Sequence, residues 1–323
     1  VEKEFRARLS EQGYHIVGEH SAVKRCKWLR EALTKKRFCY KNAFYGIASH
    51  RCMQCTPALQ FCSLACAFCW RTQKKEGEMP SGVFKWGEPG EIIEGMLKEQ
   101  TRIVSGYGGN ERVDKEMWGE SLAPKHVALS LAGEPMLYPG MSDLLGEFSK
   151  REMSTFLVTN GTRPKDLEKL ENLPTQLYIS MVSPNEELYP KICRPWVKDG
   201  WNRISESMEF MRGAKTRTVL RMTLAKGLNM CDPEGYAKQI ELASPNYVEV
   251  KSFMFVGGSR EPSRGLSLES MPKHEEILDF AKELASLTNY LISEEHLPSR
   301  VVLLCKDEFS LKKRVLPSSR QSP

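Results

Sequence analysis

From residue 89 onward the apolar positions switch repeatedly between two periods. "PGEIIEGMLKEQTRIV" (89–104) repeats every three to four residues, which predicts an amphipathic helix. "HVALSLAGEP" (126–135) is a short apolar run closed by a glycine turn, which predicts a buried strand. The alternation continues with helices over 140–153, 164–173, 200–214, 232–244 and 272–287, and strands over 154–162, 176–184, 217–227 and 246–257. Pro164 suits the first turn of its helix, where its missing N–H costs nothing. A further strand is predicted at about 51–58. Strand and helix in alternation imply parallel pairing through right-handed crossovers. The fold class is therefore α/β, as a partial (β/α)6-type barrel, with a doubly wound open sheet as the other arrangement of this pattern. In either fold a site forms at the carboxyl ends of the strands. "AGEP", "TNGT", "MVSPN" and "KSFMF" all fall at or beyond such ends.

Composition changes this picture in one respect. The 323 residues carry a formal charge of +6, a mild excess that suits an anionic partner without requiring one. No apolar run is long enough to span a membrane. The opening segment lacks the apolar core of a signal peptide, so a cytosolic protein is expected. Ten cysteines are many for a reducing compartment, and seven of them lie between Cys26 and Cys69. Such a cluster reads as metal-binding or catalytic rather than disulfide-bonded. The scattered Cys193, Cys231 and Cys305 read as small apolar side chains.

"FCSLACAFCW" (61–70) sets Cys62, Cys66 and Cys69 in a C-x3-C-x2-C spacing. Three thiolates at this spacing can hold three irons of a [4Fe–4S] cluster and leave the fourth open. Structural zinc, the alternative, favours paired C-x2-C units, and Cys62 has no such mate. With Phe68 before the last cysteine and a strand ahead of the loop, the motif resembles the radical S-adenosylmethionine (SAM) family. That resemblance implies that the methionyl amine and carboxylate of SAM chelate the open iron and that a 5′-deoxyadenosyl radical is generated. "LAGEP" (131–135) resembles the family's Gly-Gly-Glu segment, with Ala132 in place of the first glycine and Gly133 and Glu134 matching. Glu134 would face the methionyl amine. Thr159, Asn160, Ser180 and Ser183 are candidates for the ribose, and Arg221 for the SAM carboxylate.

Cys26, Cys39 and Cys52 follow one another at intervals of thirteen positions, each beside basic or aromatic residues. They could hold a second cluster with its own open iron, with Cys55 a spare ligand. With "CYKNAFYG" and "FCSLACAFCWR", the arrangement from about Cys26 to about Gly258 resembles the archaeal-type tRNA 4-demethylwyosine synthase family. The resemblance implies two [4Fe–4S] clusters and SAM. It also implies pyruvate as a two-carbon donor to N1-methylguanosine next to the anticodon of tRNA-Phe, and a carbon–carbon lyase reaction that closes a third ring. Lys41 would then form a Schiff base with pyruvate. Eukaryotic members carry a flavodoxin-like domain for which this chain has no room, so a separate electron donor is expected.

The expected organisation is an N-terminal, cysteine-bearing extension (1–50), a radical SAM partial barrel (51–305) and a basic, disordered tail (306–323), together one compact domain for which a monomer suffices. Candidate tRNA contacts are the basic, aromatic-interleaved segment 21–41, the tail "LKKRVLPSSRQSP", and a flexible loop "VGGSREPSRG" (256–265). Two other classes fit part of the pattern: a glycyl-radical activase, and a non-enzymatic metal-containing RNA-binding protein. The wide cysteine spacing argues against the first, and "AGEP" with the barrel alternation against the second.

Overall fold

The structure is a computed structural model and describes residues 3–71 and 84–316. One sheet of ten strands runs through the described residues. Its centre is six parallel strands in chain order: β3 (Cys52–Thr56), β4 (His126–Leu129), β5 (Ser154–Thr159), β6 (Gln176–Ser180), β7 (Arg217–Leu224) and β8 (Tyr247–Ser252). This is the six-unit barrel that the alternation predicts.

Both edges carry antiparallel additions absent from the sequence-based reading. The hairpin of β1 (Tyr14–Val17) and β2 (Ser21–Lys24) pairs with β3, and β10 (Val301–Cys305) lies between β8 and β9 (Leu291–His296). β9 forms the far edge and carries Glu294 and Glu295, charges that oppose pairing with another sheet.

Alternation along the strands separates two cores. The outward set, including Leu157, Leu177, Leu220, Met222 and Val250, packs under helices Pro89–Ser105, Met141–Lys150, Gly200–Gly213 and His274–Thr288. The inward set, including Phe156, Tyr178, Val219 and Tyr247, packs against Cys39, Phe44, Tyr45 and Ile47. The segment 39–47 thus fills the bore of the barrel. The stretch assigned as an N-terminal extension supplies two sheet strands and this plug, so it is integral to the barrel.

The basic end is also a correction. Helix Glu308–Lys312 is formed, Arg314 donates to the carbonyls of Ala43 and Phe44 at 2.6 and 3.2 Å, and the Leu316 N–H donates to Tyr45 O at 3.0 Å. Arg314 satisfies carbonyls at the end of helix Tyr40–Tyr45, and Leu316 is buried. The remainder of the tail lies outside the described residues.

Candidate active site

The loop after β3 carries Cys62, Cys66 and Cys69, and three neighbouring strand-end loops hold it. The Glu134 N–H, after β4, donates to Phe61 O at 2.7 Å. After β6, the Ala65 and Ala67 N–H groups donate to Cys193 O and Ile192 O, and the Trp196 N–H donates to Ser63 O. After β8, Arg264 donates to Ala65 O at 3.2 Å and Cys66 O at 2.9 Å, and the Gly258 N–H donates to Trp70 O at 2.8 Å. The segment 256–265 is therefore a latch on the cysteine loop. This corrects its reading as a flexible loop: Arg264 is buried against the loop carbonyls, while Arg260 is exposed.

Gly133 explains the fit at this corner. Its φ is +68°, and a Cβ there would collide with the carbonyl oxygens of Ala58 and Phe61. Glu134 is buried, and its carboxylate accepts from Thr159 Oγ1 at 2.6 Å, from the Asn160 N–H at 2.7 Å and from the Met136 N–H at 3.0 Å. Burial raises its pKa to about 7 against the pull of these donors. Glu134 thus clamps the ends of β4 and β5 together, with about one of its four acceptor positions left over. Thr159 is committed to this clamp, which corrects its reading as a hydroxyl presented to a ribose. Phe68, Asn160, Ser180 and Ser183 do gather, with Cys66, around one cavity at the barrel mouth. Asn160 Nδ2 donates to Ser63 Oγ at 2.9 Å and approaches Cys62 Sγ at 3.9 Å.

The two cysteine trios are separate neighbourhoods. Burial raises the thiol pKa of Cys62 and Cys69, and Cys66 raises each of them further. A hydrogen bond with Cys193, then burial, raises Cys66. In the bore, burial raises Cys26 and Cys52; Cys39 adds to both, and Lys41 opposes. Ser49 Oγ accepts from the Cys39 N–H at 3.0 Å and donates to Cys39 Sγ at 3.3 Å. Among the described residues no three His, Cys, Asp or Glu side chains converge on a position for a single metal ion. Each trio instead offers three soft, mutually repelling donors, a set suited to a cluster that spreads its cysteines over different irons. Cys55 faces outward with Met53 into the apolar core, which removes it as a ligand for either trio.

Lys41 projects into the bore. Its Nζ lies 4.4 Å from the Phe156 ring centre and 5.1 Å from that of Tyr178, with no hydrogen-bond acceptor among the described residues. Burial, then the Arg221 guanidinium, lowers its pKa. Arg221 is a correction: it does not line the mouth cavity. Its Nε donates to Glu249 Oε2 at 2.8 Å and its Nη2 to Tyr40 Oη at 2.9 Å, because position 221 faces inward opposite Glu249 of β8. Lys251, one inward position further, is pushed down to about 8 by burial and by Arg221, and donates to Ser299 O at 2.8 Å. Sequence reasoning missed Glu249 and Lys251. The signal for both was present: charged residues two apart in an otherwise apolar strand.

The segment 21–41 is mostly committed. Arg30 and Lys35 pair with Glu31, Lys36 pairs with Asp114, Arg25 donates to Tyr107 Oη, and Lys41 is buried. Trp28 packs on His296 and Tyr40 on Phe44.

A family model described as the radical SAM superfamily matches residues 57–240, and one described as wyosine base formation matches residues 242–306. The chain is 48% identical over 312 residues to the S-adenosyl-L-methionine-dependent tRNA 4-demethylwyosine synthase of Pyrococcus horikoshii, covering 95% of this chain and 90% of that one. It is 36% identical to the human protein of the same description, covering 95% of this chain and 41% of that one. Two solved structures are similar over nearly the whole chain. One is described as TYW1 with a lysine–pyruvate adduct bound (TM-score 0.85, 38% identity, 95% of this chain and 96% of that one). The other is an archaeal TYW1 (TM-score 0.81, 34% identity, 98% of this chain and 100% of that one).

Proposed function

The chain belongs to the tRNA 4-demethylwyosine synthase family of radical SAM enzymes, and from that premise we propose that it converts N1-methylguanosine next to the anticodon of tRNA-Phe into the tricyclic base, with pyruvate as the two-carbon donor. Cys62, Cys66 and Cys69 hold the [4Fe–4S] cluster that binds SAM, and Cys26, Cys39 and Cys52 hold a second. Bound there, the cluster and SAM would supply the radical chemistry that removes a hydrogen atom from the N-methyl group. The chain's own residues do the rest of the positioning. Phe68, Asn160, Ser180 and Ser183 line the nucleoside pocket at the mouth. Gly133 and Glu134 fix the loops after β4 and β5 that carry Asn160 to it.

Lys41 is the proposed catalytic residue, and its setting is the observation that carries the reading. An amine must shed its proton before it attacks a ketone, and burial beside Arg221 favours the neutral form. Its nitrogen bonds to C2 of pyruvate, the ketone oxygen leaves as water, and the imine remains tethered in the bore. With Lys41 neutral, Arg221 and Lys251 still face one carboxylate, Glu249, an excess of positive charge that suits the carboxylate of pyruvate. The pyruvate carboxyl carbon is lost as the new ring closes, a carbon–carbon lyase reaction. A separate reductant supplies electrons to a monomeric enzyme in a thiol-reducing compartment.

The test is anaerobic. Protein loaded with iron and sulfide to about eight irons per chain is reduced and given SAM, pyruvate and tRNA bearing N1-methylguanosine, and the digested nucleosides are weighed. A tricyclic, pyruvate-dependent product is expected, together with a borohydride-trapped pyruvate adduct that Lys41→Met loses. Release of 5′-deoxyadenosine with unchanged tRNA overturns the substrate assignment. An adduct that survives in Lys41→Met overturns the role of the lysine.

A further inference from the structure

At the mouth of the barrel one aromatic side chain is left in solvent beside the cysteine loop. Trp196 is 48% exposed. Its indole makes no ring contact and no side-chain hydrogen bond among the described residues. Its position is nevertheless fixed. The Trp196 N–H donates to Ser63 O at 2.9 Å, and Pro195 forms an antiparallel bridge with Leu64. The indole therefore stands on the same backbone that carries Cys62 and Cys66.

The flanking charges are also unspent. From Lys191 to Gly200 the chain carries three cations, Lys191, Arg194 and Lys198, and one carboxylate, Asp199. All three cations are exposed, and none makes an ion pair or side-chain hydrogen bond among the described residues. Arg194 has a left-handed backbone (φ 47°), and its carbonyl accepts from the Ala65 N–H at 3.2 Å. The segment 21–41 contrasts with this: there, Arg30, Lys35 and Lys36 are ion-paired, Lys41 is buried, and Trp28 and Tyr40 pack on other rings.

Resting on the proposed function, we infer that Trp196 is a stacking platform for an unpaired base of the tRNA anticodon loop, with Arg194 and Lys198 on adjacent phosphates. An exposed aromatic between free cations is the chemistry that recognises single-stranded nucleic acid. Its attachment to the cysteine loop places that recognition at the entrance to the nucleoside pocket.

The test measures binding of tRNA-Phe bearing N1-methylguanosine to the cluster-loaded protein, for the native chain, Trp196→Ala, Trp196→Phe and the double variant Arg194→Ala/Lys198→Ala. Iron content and thermal midpoint establish that each variant is intact. Trp196→Ala is expected to weaken binding by about tenfold to a hundredfold, and Trp196→Phe to recover most of it. The double variant is expected to lower the salt slope of log K by about 1.4, or about 0.7 per phosphate contact. Native-like affinity in Trp196→Ala overturns the platform, leaves the family reaction standing, and turns the patch toward a protein reductant. Failure of the native protein to bind this tRNA overturns both.

Discussion

Arg221 and Glu249 are direct register partners on adjacent strands, and their side chains form an ion pair of 2.8 Å inside the barrel bore. The carboxylate also accepts from Tyr45 Oη at 2.9 Å and Tyr40 Oη at 3.2 Å, so it ties the plug to the barrel wall. A buried pair is weak evidence of net stability, but removing one partner strands a charge. Glu249→Leu is expected to lower stability by about 3–5 kcal/mol. The double variant Arg221→Met/Glu249→Leu should be more stable than Glu249→Leu alone. Urea unfolding of the native protein, Arg221→Met, Glu249→Leu and the double variant measures the coupling, and simple additivity contradicts this account.

Glu134 sets a pH dependence. Its folded pKa, about 7, lies above the ordinary 4.5. The folded state therefore binds the proton more tightly than the unfolded chain. Its stabilising contribution is fully present below about pH 4.5 and is lost as pH rises through about 7, a change of about 3 kcal/mol. Glu134→Gln removes this component, so unfolding midpoints between pH 5 and pH 8 should fall less steeply with pH in the variant than in the native protein. Parallel profiles would sink the assignment.

Gly133→Ala meets both a left-handed backbone and two carbonyl oxygens. The backbone conformation alone costs about 1–2 kcal/mol, and the collision forces the loop away from Phe61. The variant should melt lower and hold less iron per chain at equal iron and sulfide. Native iron content would show that the loop tolerates the shift.

Arg264→Ala removes the two hydrogen bonds to the Ala65 and Cys66 carbonyls. Charged hydrogen bonds of this kind are worth about 1.5–3 kcal/mol each. Iron should leave the variant at least about tenfold faster under a chelator, with Arg264→Lys intermediate. An unchanged rate would mean that the latch does not secure the loop.

The central six strands were legible because helices or the plug cover both faces, which leaves near-continuous apolar runs. The edge hairpins were not. β1 and β2 have four residues each, and β9 contains Ser-Glu-Glu-His, which carries no buried-strand signal. The cysteine loop was legible as a radical SAM motif because its spacing is local. Arg221 was misassigned because strand alternation gives the direction of a side chain but not its partner, here 28 residues away. Thr159 failed for the same reason, its partner Glu134 being 25 residues back. The basic segment was only partly legible, because charge and aromatic content do not reveal that Arg30 and Lys35 pair with Glu31 and Lys36 with Asp114.

The plug has a consequence for the order of assembly. Tyr40 finds its partners Arg221 and Glu249 181 and 209 residues further along the chain. During synthesis, helix Tyr40–Tyr45 emerges early, yet it has no wall to dock against until β8 has left the ribosome. Contacts of such separation carry a loop-closure penalty and form late. The first part of the proposed catalytic centre to be translated is thus among the last to be built, and for that interval Cys26, Cys39 and Lys41 stand exposed to metals and carbonyl compounds.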